Sequence, residues 1–352
     1  MFSRELSSRE QGEIAHNLAT LIKSGLTLNE SFNLLIQETE SPRVQKVLQS
    51  IVGVIEKGTN LGSALAQHKK VFNGVFIRLV EVGEKSGTLE NNLLFLAELM
   101  ERSADLRSKI RAAFLYPEIV LVATVVLAGS LAVFILPKLI PLFSSFRVAL
   151  PLPTRILLWL TRTTQQYWQY LLMGFAIFIP LVSYVRRLTF VKRFYHPLVL
   201  RLPFFGRMVR EYQLALISQV FYTFIKSGLG IHEVIEGGAR SATNTEYARV
   251  LGAAQKRVMG GVPLSQALEE TKSFLFPREF LTIIAVGERS GTLEKSFFEL
   301  AEKYNHEVDR KTKNLPTVIE PLLLLGIGLS VGFVAISIIL PVYQITQGFE
   351  TR

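Results

Sequence analysis

The side chains of this chain that are equipped for chemistry are few, and their spacing suits neither catalysis nor metal binding. Five histidines, His16, His68, His196, His232 and His306, stand far apart. His232-Glu233 opens like a zinc-binding helix motif, but the position four residues after the histidine is Glu236 rather than a second histidine. A phosphate-cradling loop needs a glycine-rich turn ending in Gly-Lys and a hydroxyl residue, and Gly58 to Gly62 (GTNLG) lacks the lysine. The one Gly-x-Ser-x-Gly string, Gly328 to Gly332 (GLSVG), lies inside an apolar run rather than at a strand-to-helix elbow, and presents no nucleophile. Cysteine is absent, which excludes disulfides and thiolate metal sites. The reading is therefore no catalytic residue, no cofactor and no metal, and a chain that draws any energy it uses from a partner.

What remains are acids in conspicuous places. Glu84 lies in VGEKSGTLE and Glu288 in VGERSGTLE, stretches that begin at Val82 and Val286, 204 residues apart, and differ only by Lys85 against Arg289. Gly87 and Gly291 supply a tight turn, Ser86 or Thr88 and their counterparts Ser290 or Thr292 a cap, and Leu89 a core contact. A glutamate at the end of the preceding helix faces the negative end of the helix dipole, at a cost of about 0.3–1 kcal/mol. Glu84 and Glu288 should then have a compensating partner, either Arg or Lys within the bundle or another protein. Glu118 and Glu320 sit beside Pro117 and Pro321, where apolar runs begin, and are read as interfacial, helix-starting acids.

The elements that must position these acids form a repeat. Leu21 to Gly25 (LIKSG) answers Phe224 to Gly228 (FIKSG), LGSAL at Leu61 answers LSQAL at Leu264, and Phe72 and Phe76 answer Phe276 and Phe280. Ser7 with Glu10 and Thr27 with Glu30 make capping boxes, and Gly25 and Gly228 stop helices. Sustained alternation and hairpin signals are missing outside the apolar runs, so each copy reads as a bundle of about six short helices.

Three runs reach the length that a bilayer core of about 30 Å requires. Ile119–Leu136 holds 18 residues without a charge, Tyr167–Val185 holds 19 and Pro321–Ile345 holds 25. The start of the chain is polar and reads as carrying no secretory signal. Seven Lys or Arg and no acid lie between Arg186 and Arg210, against four across Pro137–Gln166, and the chain carries net charge +10. That bias puts both modules inside and the end of the chain outside. Aromatics interleave the basic run, but beside a span it reads as a flank on anionic headgroups rather than a nucleic-acid surface.

The expected fold class is all-α: an integral membrane protein with three transmembrane helices and two homologous cytoplasmic helical-bundle domains. The expected boundaries are 1–111 for the first cytoplasmic domain, 112–143 for the first span region, 144–166 for an external connector and 167–185 for the second span. The second cytoplasmic domain with its basic flank follows at 186–318, the third span at 319–345 and a short external tail at 346–352. Gly328, Gly332 and Ala335 form a small-residue face suited to helix packing, within the chain or between copies. A transporter or channel subunit is the alternative reading, and intramembrane acids or broken helices at mid-bilayer are what it would need.

The doubled VGExSGTLE, LYPE at Leu115–Glu118, IEPLLLLG at Ile319–Gly326, LPLPTRILL at Leu150–Leu158 and GVPLSQAL at Gly261–Leu268 together resemble the type II secretion F-protein family. That family includes the inner-membrane platform proteins of type IV pili, and the likeness runs from about Gln11 to Ile345. It implies a non-enzymatic platform in the bacterial inner membrane that couples a cytoplasmic hexameric assembly ATPase to pilin or pseudopilin polymerisation. Its implied partners are that ATPase, pilin or pseudopilin transmembrane helices, other inner-membrane subunits, membrane lipid and further copies of itself. The family signature maps onto Glu84, Ser86, Gly87, Glu288, Ser290 and Gly291, as candidate partner contacts, and onto Pro117, Glu118, Glu320 and Pro321 where the spans begin. One departure is Asn73 after Phe72, where the second copy has Pro277 after Phe276.

Overall fold

The structure, a computed structural model, describes residues 6–130, 151–185, 189–202, 205–272 and 274–350. The distal part of the expected first span, the connector's first residues 144–150 and the flanking positions 186–188 and 203–204 lie outside the described residues. Among the described residues every regular element is a helix. The first copy comprises α1 (Ser8–Lys23), α2 (Leu28–Glu38), α3 (Pro42–Ile55), α4 (Leu61–Gln67), α5 (Gly74–Ser86) and the long α6 (Leu89–Ser130). Then come α7 (Leu152–Val185) and α8 (Thr189–Arg201). The second copy comprises α9 (Phe205–Lys226), α10 (Ile231–Ser241), α11 (Thr245–Met259), α12 (Leu264–Lys272), α13 (Arg278–Ser290) and the long α14 (Leu293–Glu350).

Helix starts follow from the capping residues. The side chains of Ser7 and Thr27 accept from the backbone of Glu10 and Glu30, whose carboxylates return to the cap N–H groups at 2.7 and 2.8 Å. Asn73, the departure from the repeat, caps α5 by accepting from Phe76 N–H at 2.7 Å. Pro277 instead begins α13 without a side-chain cap.

The chain divides into two compact units. One comprises 1–109 with 192–311 and so contains both copies of the module; the other comprises 110–191 with 312–352.

In the first unit each copy has its own apolar core. Phe72 and Phe76 are at most 1% exposed and so are Phe276 and Phe280, with ring centroids 4.9 Å apart in one copy and 5.4 Å in the other. Size is exchanged between helices from copy to copy. Aligned through LIKSG and FIKSG, Leu18 and Leu21 become Phe221 and Phe224, while Leu34 and Leu35 become Gly237 and Gly238. A Cβ added at Gly238 would stand 2.2 Å from the Phe221 ring, and one at Gly237 2.3 Å from Phe224. The larger rings therefore fit only because α10 presents bare backbone to them. Gly238→Ala should cost about 1–3 kcal/mol by overpacking. Gly252→Ala, where an added Cβ meets nothing within 4 Å, should be neutral or mildly stabilising. Thermal unfolding of the detergent-solubilised chain checks the pair, and equal behaviour would contradict the packing account. Tyr247 closes this core, donating from its buried hydroxyl to the carbonyl of Leu275 at 2.9 Å. Burial pushes the phenol's pKa far above its ordinary value, so it stays protonated as a donor.

The two copies meet within that unit through ion pairs. Arg78 bridges Glu81 and Glu233, Arg102 bridges Glu98 and Glu302, and Lys109 reaches Asp309 at 3.2 Å. Glu98 and Glu302 are equivalent positions of the repeat, so one arginine holds the same glutamate of both copies. The groups are about a third exposed, and each pair alone contributes little; as a series they fix register more than energy.

In the second unit two helices are long and apolar enough to cross a membrane, α6 up to Leu127 and α14 up to Pro341. Their apolar side chains face outward, with Val126 64% and Leu329 66% exposed, as lipid-facing residues must be. Pro117 and Pro321 lie inside these helices rather than at their starts. The stretch 152–166 is helical and continuous with the 167–185 run as α7. Along α14, Pro341 has no N–H to give the carbonyl of Ser337, four residues earlier. The Thr154 hydroxyl of α7 donates to that carbonyl at 2.8 Å, and both residues are about 1% exposed. A backbone acceptor released by proline is thus satisfied from a neighbouring helix.

Candidate functional site

The repeated phrase is a joint between two helices, and the same atoms do the same work in both copies. Gly87 and Gly291 end α5 and α13 in the left-handed region, at φ +71° and +70°. Thr88 N–H and Thr292 N–H donate back to the carbonyls of Gly83 and Gly287, each at 2.8 Å. Ser86 and Ser290 donate to the carbonyls of Val82 and Val286, also at 2.8 Å, and their hydroxyls lie 2.6 Å from those of Thr88 and Thr292. Gly83 and Gly287 let the next helix cross closely, since an added Cβ would stand 2.9 Å from Asn92 and 2.3 Å from Ser296.

Glu84 and Glu288 have a partner within the chain, and it is neither lysine nor arginine. The Glu84 carboxylate accepts from the N–H groups of Leu61 and Gly62, at 2.6 and 3.0 Å. These are the first residues of α4, and Asn60 accepts the next N–H, from Ser63, at 3.1 Å. Three orphan donors of one helix start are thereby satisfied. In the second copy Glu288 accepts from Leu264 N–H at 2.5 Å, from Ser265 N–H at 3.0 Å and from the Ser265 hydroxyl at 2.6 Å. Each glutamate sits at the unfavourable, negative end of its own helix dipole and is compensated by the positive end of another. The carboxylate pins α4 to α5, and α12 to α13, next to the turn that launches the long helix. The signal for this was present in the sequence: an acid recurring 23 or 24 residues after a helix start, in both copies.

The remaining residues singled out by sequence are not gathered with these. Pro117, Glu118, Glu320 and Pro321 lie along α6 and α14, as do Gly328, Gly332 and Ala335 along α14. A Cβ added at Gly328 or Gly332 meets nothing within 4 Å, so that small-residue face is open among the described residues of the chain.

The histidines serve locally. His196 in α8 accepts from Thr245 N–H at Nδ1, 2.9 Å, which docks α8 against the start of α11. His68 lies 3.1 Å from the Ser50 hydroxyl, and burial lowers its imidazole below the ordinary value. No group of three His, Asp or Glu residues placed to hold a metal ion occurs among the described residues. Sequence reasoning missed Thr154, which the position of Pro341 would have flagged through the carbonyl four residues before it.

A duplicated all-helical module, each copy clasped by a glutamate and continued into a long apolar helix, defines a membrane protein of repeat architecture. Residues 14–137 and 217–341 match the family described as type II secretion system (T2SS), protein F, and the chain belongs to that family. It is 30% identical to the type IV pilus assembly protein PilC of Thermus thermophilus, over 94% of this chain and 81% of that protein. It is also 30% identical to the type II secretion system protein F of Aeromonas hydrophila, over 99% of this chain and 89% of that one. A protein transport protein HofC homolog of Escherichia coli is 27% identical over 96% of this chain.

Proposed function

We propose that this chain is an inner-membrane platform protein of a type IV pilus or type II secretion machine. It couples a cytoplasmic hexameric assembly ATPase to the polymerisation of pilin or pseudopilin subunits, and is itself non-enzymatic. The observation that carries this reading is similarity along nearly the whole chain to proteins named for both systems. It is supported by the way each module is built. α6 and α14 run 42 and 58 residues, about 60 and 85 Å. A displacement imposed on either module therefore reaches the far end of its helix without crossing a loop. The clasp of Glu84 or Glu288 sits next to each such helix start, where it keeps a push from being absorbed by slippage between short helices.

In this reading three helices span the membrane, α6 and α14 with the 167–185 part of α7. Both modules, with about six helices each, lie in the cytoplasm and the chain ends outside. Pilin helices, other inner-membrane subunits, lipid and further copies of the chain meet the open apolar faces, including Gly328 and Gly332.

The absence of cysteine makes topology directly testable. Single cysteines replacing the exposed Lys85 and Arg289 are expected to react with a membrane-impermeant maleimide only after the inner membrane is opened. Photo-crosslinkers at the same two positions should then capture a cytoplasmic ATPase or other machine subunits. Labelling of the two modules from opposite sides would overturn the platform reading in favour of a transporter.

A further inference from the structure

We propose that the cleft between the two modules is a binding site for an organic phosphate. The cleft has a volume of about 710 Å³ and takes its walls from both copies. That size suits a nucleotide-sized ligand and far exceeds what a bare phosphate ion fills. Three arginines line it from three separate elements: Arg43 at the start of α3, Arg107 on α6 and Arg240 near the end of α10. Arg43 and Arg107 have no ion-pair partner among the described residues, and Arg240 is held by Glu236 at 2.5 Å.

One carboxylate lines the cleft, and it is already engaged. Glu10 accepts from both the N–H and the hydroxyl of Ser7 at 2.7 Å. The residues that open α5, Gly74 and Val75, also line the space, and theirs are the first N–H groups of that helix. They have no acceptor among the described residues, because Asn73 is committed to Phe76. Guanidiniums and free helix-start N–H groups are the donors that phosphate oxygens take, and arginine matches them two bonds at a time.

The positive character is local. On the other side of the Gly74–Arg240 contact a smaller cavity of about 360 Å³ is lined by Arg78 with Glu81, Glu233 and Glu236, and its charges are already paired. The larger cleft also has an uncharged wall, where Leu99, Met100, Leu216 and Val220 are all at most 7% exposed. A ligand with a charged end and a flat uncharged body satisfies both surfaces. Since the arginines come from both copies, an occupant would tie one module to the other.

The test is binding and thermal unfolding of the full-length protein in detergent at fixed ionic strength, with ADP, pyrophosphate and hexaglutamate as separate probes. ADP is expected to bind and to raise the unfolding temperature, at least tenfold more tightly than pyrophosphate. Arg43→Gln with Arg107→Gln should weaken ADP binding tenfold or more while leaving the ligand-free unfolding temperature unchanged, both side chains being exposed. Arg289→Gln, an exposed arginine outside the cleft, should leave ADP binding as it was. The proposal is overturned if ADP does not bind at millimolar concentration, or if the control variant loses as much as the double variant. Equal binding of ADP and pyrophosphate would remove the organic body. Arginine-dependent binding of hexaglutamate alone would assign the cleft to an acidic protein segment instead.

Discussion

Glu288→Ala is expected to destabilise the second module by about 2–4 kcal/mol, the summed loss of charge-assisted hydrogen bonds to a helix start left without replacement acceptors. The residue lies at the end of α13, but the damage should appear at the start of α12. Amide hydrogen exchange at Leu264 and Ser265, whose N–H groups the carboxylate now holds, should quicken before the rest of the module responds. Glu84→Ala should be milder, because Asn60 still caps α4 and the Ser265 hydroxyl has no counterpart there. Glu288→Gln keeps an acceptor and should recover part of the loss. If exchange at 264 and 265 were unchanged in Glu288→Ala, the clasp would have to be abandoned and an external partner for the glutamate would regain its appeal.

The second large effect belongs to the membrane unit. Thr154→Val removes a hydroxyl of nearly the same volume from a contact about 1% exposed, leaving the Ser337 carbonyl without a donor. In a site that water does not reach, that omission should cost about 2–4 kcal/mol. The cause can be isolated, because the carbonyl is orphaned only by Pro341. Pro341→Ala restores the backbone N–H, the helix can close its own bond, and Thr154→Val should then cost less than about 1 kcal/mol. A double-mutant cycle in detergent or nanodiscs measures the coupling between the two sites. Equal loss in both backgrounds would show that Thr154 acts through packing rather than through the released carbonyl.

Much of the architecture could be read directly. The capping boxes at Ser7 and Thr27, the left-handed glycines of the repeated phrase and the doubling itself depend on near neighbours in the chain, and the structure shows each of them. Glu84 and Glu288 were legible as an anomaly: a carboxylate at the wrong end of its own helix. Their partner was not, since the dipole rule speaks of one helix and the answer lies at the start of another. The exchange of leucines for Phe221, Phe224, Gly237 and Gly238 was likewise written in the aligned repeats, yet it makes sense only once α9 and α10 are seen to cross at those residues.

The sequence by itself determined a duplicated helical module, the phrase that joins its last two helices, and the apolar lengths suited to a membrane. Local hydrogen bonding and hydrophobic periodicity specify these within a few turns of chain. Tertiary structure alone decided that Glu84 and Glu288 clasp helix starts, that Thr154 answers Pro341, and that Arg43, Arg107 and Arg240 face one cleft. Each is a meeting of groups dozens to almost two hundred residues apart. Such meetings depend on how helices cross in space, which short-range patterns in a sequence do not encode.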